Sequence, residues 1–188
     1  EAILQGVPIV IFRLGYVFCH SLTGATAKYQ WWSSLIKTCI QLKCYPLLID
    51  QKEELTMVDF VSKAVIHISR KPEAIGEIFH LSPAPENNIT VTDFFEFLSK
   101  EFNFDLQPAP YQEWLKLWEN DEESPLYPLL NLFKFKAYDN KAIIEIHQNT
   151  PDFDISNTNR LLKGSNIENT VVTRENVEAF CKYLGVLE

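Results

Sequence analysis

The sequence predicts a helix-rich α/β chain with one or two sheet strands. Apolar residues make up 46% of its 188 residues and charged residues 22%, which is typical of a chain that forms a hydrophobic core. The segment 8–13 is an almost unbroken run of β-branched and aromatic residues, as in a strand of a parallel sheet. Much of the remaining sequence repeats apolar residues at helical spacing.

Two segments are predicted to be strands, and Leu106–Gln107 is a possible further short strand that stops at Pro108. The run Pro-Ile-Val-Ile-Phe-Arg at 8–13 is expected to be a core strand that is buried on both faces. The irregular stretch 14–28 follows, and loops of that length inside a domain usually have a function. Glu77 to Leu81 is predicted to be a second, short strand that Pro83 ends.

The helices are predicted from stripes of apolar residues. The first stripe runs from Trp32 to Cys39 and ends before Pro46, and Asp59 is predicted to be the N-cap of the second helix. Further helices are predicted from Thr90 or Thr92, around Tyr111 to Trp118, over 125–135, from Ser156 to Leu162, and after Thr173. Residues 136–155 give the weakest pattern.

Charge is distributed unevenly along the chain, whose formal net charge is −8. Residues 1–80 carry eight basic and seven acidic side chains, whereas 81–188 carry nine basic and eighteen acidic ones. The acidic second part argues against nucleic acid or an anionic membrane surface as a partner. No apolar run has the length of a membrane span.

The glycines, cysteines and histidines exclude several kinds of site. None of the six glycines forms the spacing of a dinucleotide-binding loop or a P-loop, so the chain does not cradle a nucleotide by itself in either way. The cysteines form no C-x-x-C pair, and we expect reduced, buried thiols in a cytoplasmic protein; they are Cys19, Cys39, Cys44 and Cys181. The scattered histidines predict no metal site.

Eight short segments occur in an order that is typical of one family. They are Gly6 to Gly15, Ser21 to Gly24, Leu35 to Leu42, Glu54 to Val61, Phe79 to Ser82, Pro110 to Leu115, Pro125 to Leu130 and Asp154 to Thr158. In this order they resemble the C-terminal part of thioester reductase domains. These are extended short-chain dehydrogenase/reductase modules at the end of many nonribosomal peptide and polyketide synthases.

The resemblance implies the C-terminal part of an extended Rossmann-type reductase with a helical substrate-binding subdomain. It assigns 1–83 to the last strands and helices of the Rossmann half plus a pocket loop, and 84–188 to a mainly helical substrate-binding or lid subdomain. The implied reaction is reductive release of an acyl or peptidyl thioester as an aldehyde or alcohol. Implied partners are NADPH, an acyl or peptidyl carrier protein with its phosphopantetheine arm, and the rest of a multidomain synthase.

The resemblance also implies a catalytic Tyr-x-x-x-Lys pair. Its tyrosine hydrogen-bonds the developing oxyanion, and its lysine lowers the pKa of that tyrosine. This spacing does not occur in the sequence, so no catalytic residue is predicted here. We expect the pair to lie upstream of residues 1–6 on the helix whose tail these residues form, and the glycine-rich loop that holds most of NADPH to lie further upstream. We expect the fragment to be inactive alone.

The remaining site residues are implied by the same resemblance. Cofactor contacts are expected from Leu14, Gly15 and Val17, in the turn after the first strand. Substrate contacts are expected from Tyr16, Phe18, His20 and Trp31. Aromatic residues at helical spacing also suit a core, and that alternative stays open.

Two other classes of function remain open from the sequence. One is a related reductase fragment, such as a fatty acyl-CoA reductase or a nucleotide-sugar epimerase-like protein. The other is a non-catalytic docking module for a carrier protein. Carrier proteins are generally acidic, so the docking surface would use basic residues of the first half: Lys28, Lys37, Lys43 and Lys63.

Overall fold

The computed structural model describes residues 5–27, 29–48, 51–146, 152–169 and 171–188. The expected docking residue Lys28 lies outside these ranges. So do residues 1–4 of the expected helix end. The strands are β1 (Ile11–Leu14), β2 (Tyr16–Val17), β3 (Cys44–Pro46), β4 (Lys52–Glu53), β5 (Leu55–Thr56), β6 (Ile78–Leu81), β7 (Ile89–Thr90), β8 (Gln107–Ala109), β9 (Lys136–Tyr138) and β10 (Lys141–Ala142). The helices are α1 (Trp31–Leu42), α2 (Val58–Ser69), α3 (Val91–Phe102), α4 (Tyr111–Lys116), α5 (Leu130–Lys134), α6 (Ile143–Ile146), α7 (Ser156–Leu162) and α8 (Arg174–Leu184).

The chain forms two compact units. Unit 1 draws on Glu1–Ala25, Glu54–Asn88 and Asp152–Phe180, and unit 2 on Thr26–Glu53, Ile89–Pro151 and Cys181–Glu188. Both units therefore combine segments that are distant in sequence. The division predicted at residue 83 is a different one, between the Rossmann half and the substrate-binding subdomain of a reductase. It stays a prediction.

Unit 1 is built on a parallel pair of strands, β1 and β6, in which Phe12 lies opposite Phe79. A second parallel pair, β2 with β5, continues from the end of β1. Helix α7 is attached to β6 because the Thr158 hydroxyl donates to the His80 carbonyl at 2.7 Å. The turn after helix α2 is bound to α7, because Lys71 Nζ donates to the Leu161 carbonyl at 2.8 Å.

The prediction that the first strand is buried on both faces is wrong for the described residues. Strand β1 covers only the last part of the predicted run, and the side chains of Ile11 and Leu14 are 36% and 49% exposed. Within the described ranges β1 pairs with β6 alone. A parallel strand is buried on both faces only when further strands and helices surround it.

The prediction that Asp59 caps α2 is also wrong. The helix begins one residue earlier, at Val58, and its N-cap is Met57, which provides no side-chain cap. Asp59 lies in the first turn instead, where a carboxylate suits the positive end of the helix dipole. Its hydrogen-bond partner is a distant loop, described below.

Unit 2 is mainly helical. The predicted stripe of α1 is confirmed, since Trp32, Leu35, Ile36 and Cys39 are all fully buried. The Trp32 ring meets the ring of Phe94 from α3 edge to face, with centroids 5.1 Å apart. Because aromatic rings bury large areas, such contacts dominate the core of this unit.

Several other helix predictions are confirmed. Thr90 caps α3 by accepting a hydrogen bond from the Asp93 N–H at 3.0 Å. Thr173 opens α8, where its hydroxyl accepts from the Asn176 N–H at 3.3 Å.

The predicted stop at Pro108 is wrong, because β8 runs through this proline and pairs with β3. A proline in a strand requires only that its missing N–H faces away from the ladder.

Candidate functional site

The carboxyl ends of β1 and β6 lie side by side in unit 1. Leu14 is opposite Leu81, and the Gly15 N–H donates to the Leu81 carbonyl at 3.0 Å. In open α/β sheets, ligands bind beyond the carboxyl ends of parallel strands. The segment from Leu14 to His20 is therefore the first candidate for a ligand site, and it contains six of the seven predicted site residues.

Gly15 is held close to the chain segment that precedes β5. A Cβ atom at this position would lie 2.7 Å from Thr56 Oγ1 and 2.9 Å from the Glu54 carbonyl oxygen. Glycine is needed here for close packing within the chain, and this requirement exists without any ligand. Burial raises the pKa of the neighbouring Glu54 above its ordinary value, and the negative charge of Asp152 raises it further.

The residues after Gly15 differ in their exposure. Tyr16 and Val17 form β2 and are half-buried. Phe18 is 1% exposed, and its ring packs against that of Phe180 with centroids 4.4 Å apart. Its N–H donates to the Thr56 carbonyl at 2.8 Å. Phe18 therefore supports the loop that follows as part of the unit's core.

The loop from Cys19 to Gly24 is tied to two helices. On α2, Asp59 accepts hydrogen bonds from the Ser21 N–H and the Ser21 hydroxyl, both at 3.0 Å. On α8, Asn176 Nδ2 donates to the Ser21 carbonyl at 2.7 Å. Gly24, with φ of +66°, packs so closely that a Cβ atom would collide with the Ala179 carbonyl. These contacts fix the loop that carries His20.

Electrostatics favour the ionised form of Asp59. Its partial burial would raise the pKa, but hydrogen bonds from the Ser21 N–H, from Lys63 and from the Ser21 hydroxyl outweigh burial and lower the pKa. Lys63 Nζ lies 3.2 Å from Asp59 Oδ2, one helical turn along α2. Asp59 is thus a charged anchor for the loop.

His20 lies on a cleft of unit 1. Its Nδ1 is 3.2 Å from the Leu22 N–H and accepts a hydrogen bond from it, which assigns the proton of a neutral imidazole to Nε2. The cleft has a volume of about 490 Å³, and Met57, Asp59, Phe60 and Lys63 also line it. A half-buried imidazole in a cleft, whose Nε2–H has no partner among the described residues, can orient a carbonyl or hydroxyl group of a ligand.

The described part of the chain contains no helix that is long and apolar enough to cross a membrane. It also contains no group of three or more histidine, cysteine or acidic side chains that could hold a metal ion.

Comparisons with known proteins identify the family. The sequence model of an NAD-binding family described as "Male sterility protein" matches residues 1–65. The chain is 32% identical to the nonribosomal peptide synthetase cpsA of Aspergillus campestris over 87% of its length, and 30% identical to the aldehyde reductase lnaA of Aspergillus flavus over 97%. The terminal R domain from the myxalamid PKS-NRPS biosynthetic pathway matches 100% of the chain, with a TM-score of 0.81 at 26% identity.

The chain belongs to the thioester reductase domains of the extended short-chain dehydrogenase/reductase family. It corresponds to the C-terminal part of such a domain, as the sequence had predicted, and its helix-rich α/β fold is of the Rossmann type. It spans 16% and 18% of the lengths of the two curated relatives and 47% of the solved chain.

Six of the predicted site residues of the thioester reductase fragment lie together in unit 1, and the seventh belongs to unit 2. Leu14 through His20 follow one another at the carboxyl edge of the parallel pair in unit 1. Trp31 belongs to unit 2, where it is the first residue of α1 and meets the Trp32 ring edge to face at 5.1 Å. The cofactor and substrate roles of all seven stay predictions.

The sequence did not predict the loop anchors of this reductase fragment. Asp59 is 38 residues from Ser21, and Asn176 is 155 residues from it. The spacing of Asp59 and Lys63 does signal an ion pair on one helix face. No local pattern indicates that the same carboxylate also holds a distant loop.

Proposed function

We propose that the chain is the substrate-binding part of an NADPH-dependent thioester reductase that releases a carrier-bound acyl or peptidyl chain. The observation that carries the proposal is the parallel β1–β6 pair, whose carboxyl edge opens on Leu14–His20, in a chain matched along its whole length by a terminal reductase domain. In this proposal 1–83 belongs to the nucleotide-binding half, 84–188 is the substrate-binding or lid part, and the protein acts in the cytoplasm.

The residues at the carboxyl edge fit a role at the nicotinamide end of the cofactor. Leu14 offers an exposed side chain and Val17 a half-buried one, while the turn between them is fixed by the packing of Gly15 against Glu54 and Thr56. When bound, NADPH supplies the hydride that converts a thioester carbonyl to an aldehyde, with loss of the thiol, and a second hydride gives the alcohol. Most contacts to NADPH come, in this proposal, from residues outside this chain.

The substrate side is assigned to Tyr16, His20 and Trp31, with Phe18 acting through packing. The Nε2–H of His20 would hydrogen-bond a carbonyl of the acyl or phosphopantetheine chain. The Trp31 indole would cover apolar carbons of that chain. The chain's partners are an acyl or peptidyl carrier protein and the other domains of a synthase.

The test uses the full-length protein that contains this chain. With NADPH and a carrier-bound thioester, we expect NADPH oxidation and release of an aldehyde or alcohol, and none from the 188-residue chain alone. His20→Ala and Trp31→Ala should raise the KM for the thioester by about tenfold, the size of one lost good contact. Tyr29→Ala is the matched control, because Tyr29 is 90% exposed.

Three results would contradict the proposal. NADPH oxidation by the isolated chain would show that it needs no further nucleotide-binding half. A preference for free acyl-CoA over the carrier-bound thioester would favour a fatty acyl-CoA reductase. Unchanged KM in both variants would remove His20 and Trp31 from the substrate site.

A further inference from the structure

The peptide group between Ser21 and Leu22 is held on both of its sides. Its carbonyl oxygen accepts a hydrogen bond from Asn176 Nδ2 on α8 at 2.7 Å. Its N–H donates to the Nδ1 atom of the His20 ring at 3.2 Å. This peptide bond is trans, so its C=O and N–H lie in one plane and point in opposite directions. The contact at the carbonyl therefore also sets the direction of the N–H that faces the ring.

The orientation of the Asn176 amide is determined by its partners. The side chain is buried, and its Oδ1 accepts a hydrogen bond from the Thr173 N–H at 3.1 Å. A backbone N–H only donates and a carbonyl oxygen only accepts, so the amide oxygen must face Thr173 and the amide nitrogen must face Ser21. The amide nitrogen is thus a fixed donor toward the Ser21 carbonyl.

The backbone of His20 is fixed as well. Its N–H donates to the Ala25 carbonyl, and its carbonyl accepts from the Gly24 N–H, both at 2.9 Å. Asp59 holds the next N–H along the chain, that of Ser21. Because the backbone is held in place, the group that Nδ1 faces decides which nitrogen of the ring carries the proton.

The tautomer of His20 decides which group of a ligand the ring can bind. A neutral imidazole has one N–H donor and one acceptor nitrogen. Nδ1 accepts a hydrogen bond, so the donor is Nε2–H, which suits a carbonyl oxygen. If the proton were on Nδ1, Nε2 would be an acceptor and would repel the same carbonyl. A contact that fixes the tautomer therefore fixes the kind of ligand group.

We propose that Asn176 is a positioning residue for the substrate site. It holds the peptide group 21–22 in the orientation that keeps the proton of His20 on Nε2, and His20 then donates to a carbonyl of the substrate. Asn176 does not belong to the described residues that line the cleft at His20, so it acts through the loop. The inference rests on the proposed function, which places a carbonyl of the acyl or phosphopantetheine chain at His20.

Asn176→Asp is the variant that removes the donor and keeps the contact with the helix end. A carboxylate still accepts the Thr173 N–H but repels the Ser21 carbonyl. The peptide group should therefore turn, so that its carbonyl faces His20 Nδ1 and favours a proton there. Asn176→Ala, which only releases the carbonyl, repeats the test if Asn176→Asp fails to fold.

Thr173→Ala is the matched control. The Thr173 hydroxyl accepts a hydrogen bond from the Asn176 N–H at 3.3 Å, and its loss weakens the same end of α8. The Asn176 donor to Ser21 stays in place in this variant. Thr173→Ala should therefore lower stability without changing the tautomer of His20.

The first readout is nitrogen NMR of the 188-residue chain with ¹⁵N-labelled histidine, at about pH 8, where imidazole groups are neutral. The signals that disappear in His20→Ala belong to His20. Wild type and Thr173→Ala should show a protonated Nε2 and an unprotonated Nδ1. In Asn176→Asp the proton should lie at least partly on Nδ1. This measurement needs no turnover.

The second readout is a double-mutant cycle in the full-length protein. Asn176→Asp should raise the KM for the carrier-bound thioester by up to about tenfold, as His20→Ala does, and Thr173→Ala should leave it unchanged. Because Asn176 acts through His20, the double variant should be no worse than His20→Ala alone.

Two results would overturn the inference. In the first, the proton of His20 stays wholly on Nε2 in the folded Asn176 variant. In the second, the effects of Asn176→Asp and His20→Ala on KM multiply, which would show that Asn176 acts elsewhere. Both results can occur in a protein that still releases the thioester with NADPH, so they are distinguishable from failure of the proposed function.

Discussion

Asp59 connects a loop to a helix through a single carboxylate. Its two oxygens accept hydrogen bonds from Ser21, and Lys63 lies beside one of them. The Lys63 side chain is 63% exposed, so the ion pair contributes little to the free energy of unfolding. The Ser21 contacts are partly buried and involve an ionised acceptor, and these are the stabilising part.

We predict that Asp59→Asn lowers the free energy of unfolding by about 1 to 3 kcal/mol at neutral pH, because hydrogen bonds to a charged group are lost. Urea denaturation measures the change. Asp93→Asn is the matched control: Asp93 also lies in the first turn of a helix but is exposed and holds no distant loop. An equal loss in both variants would assign the effect to the helix dipole alone.

The same carboxylate predicts a pH dependence. The folded-state pKa of Asp59 is lowered from an ordinary value of 3.8, so its contribution is complete well above that pH. The contribution begins to fall below pH 3.8, where Asp59 is protonated in the unfolded chain. It is lost below the folded-state pKa, where Asp59 is protonated in the folded protein too. The difference in stability between wild type and Asp59→Asn should therefore shrink with acidification. A constant difference down to acid unfolding would contradict the assignment.

At the scale of elements, two glycines determine how closely segments of unit 1 approach. Gly15 faces the chain before β5, and Gly24 faces α8. Gly24 also has a positive φ, which other residues rarely adopt, whereas Gly15 does not. Gly164 has a positive φ of +76° but open space at the Cβ position.

These differences predict an order of destabilisation by alanine. Gly24→Ala should be the most damaging variant, because it combines a backbone collision with an unfavourable φ. Gly15→Ala should cost about 1 to 3 kcal/mol through overpacking, and Gly164→Ala about 1 kcal/mol through φ alone. Thermal or urea denaturation of the three variants gives the order. A Gly164→Ala variant that is less stable than Gly24→Ala would show that the packing contacts carry no cost.

The helices were predictable from sequence to a greater extent than the strands. The stripes of α1 and α3 and the cap at Thr90 depend on residues within one or two turns, so local spacing reveals them. Strand β2 has two residues, and its pairing with β5 depends on a partner about 40 positions away that no local pattern indicates. For the same reason Asp59 was predicted as a cap, while its distant partner Ser21 was not.

On the scale of the whole molecule, the candidate site was only partly predictable. The order of short segments was sufficient to predict the family and the loop after the first strand. It did not reveal that Phe18 is a core residue packed on Phe180, since the two are distant in sequence. Nor did it reveal that the cleft at His20 combines side chains of α2 with those of the segment after α7.

The cysteines give a test of the fold as a whole. All four are free thiols; Cys19, Cys39 and Cys181 are buried, and Cys44 is half-buried. Burial raises the pKa of Cys181 to about 12 and that of Cys39 well above its ordinary value. Burial raises the pKa of Cys44 as well, but Cys44 is only half-buried, so a thiol reagent should label it first in the native protein.

Cys44→Ser should remove this first phase, and the other three thiols should react only in denaturant. Labelling of Cys181 at the same rate as Cys44 in the native protein would contradict the burial described for α8.

The central claim is that this chain helps a reductase to release a carrier-bound thioester, and transfer of a labelled hydride tests it most directly. The full-length protein is mixed with a carrier-bound acyl thioester and NADPH that carries deuterium at the transferable position, and the released product is analysed by mass spectrometry. We predict an aldehyde with deuterium on its carbonyl carbon, or the alcohol derived from it. Release of an unlabelled carboxylic acid, or no release at all, would contradict the claim.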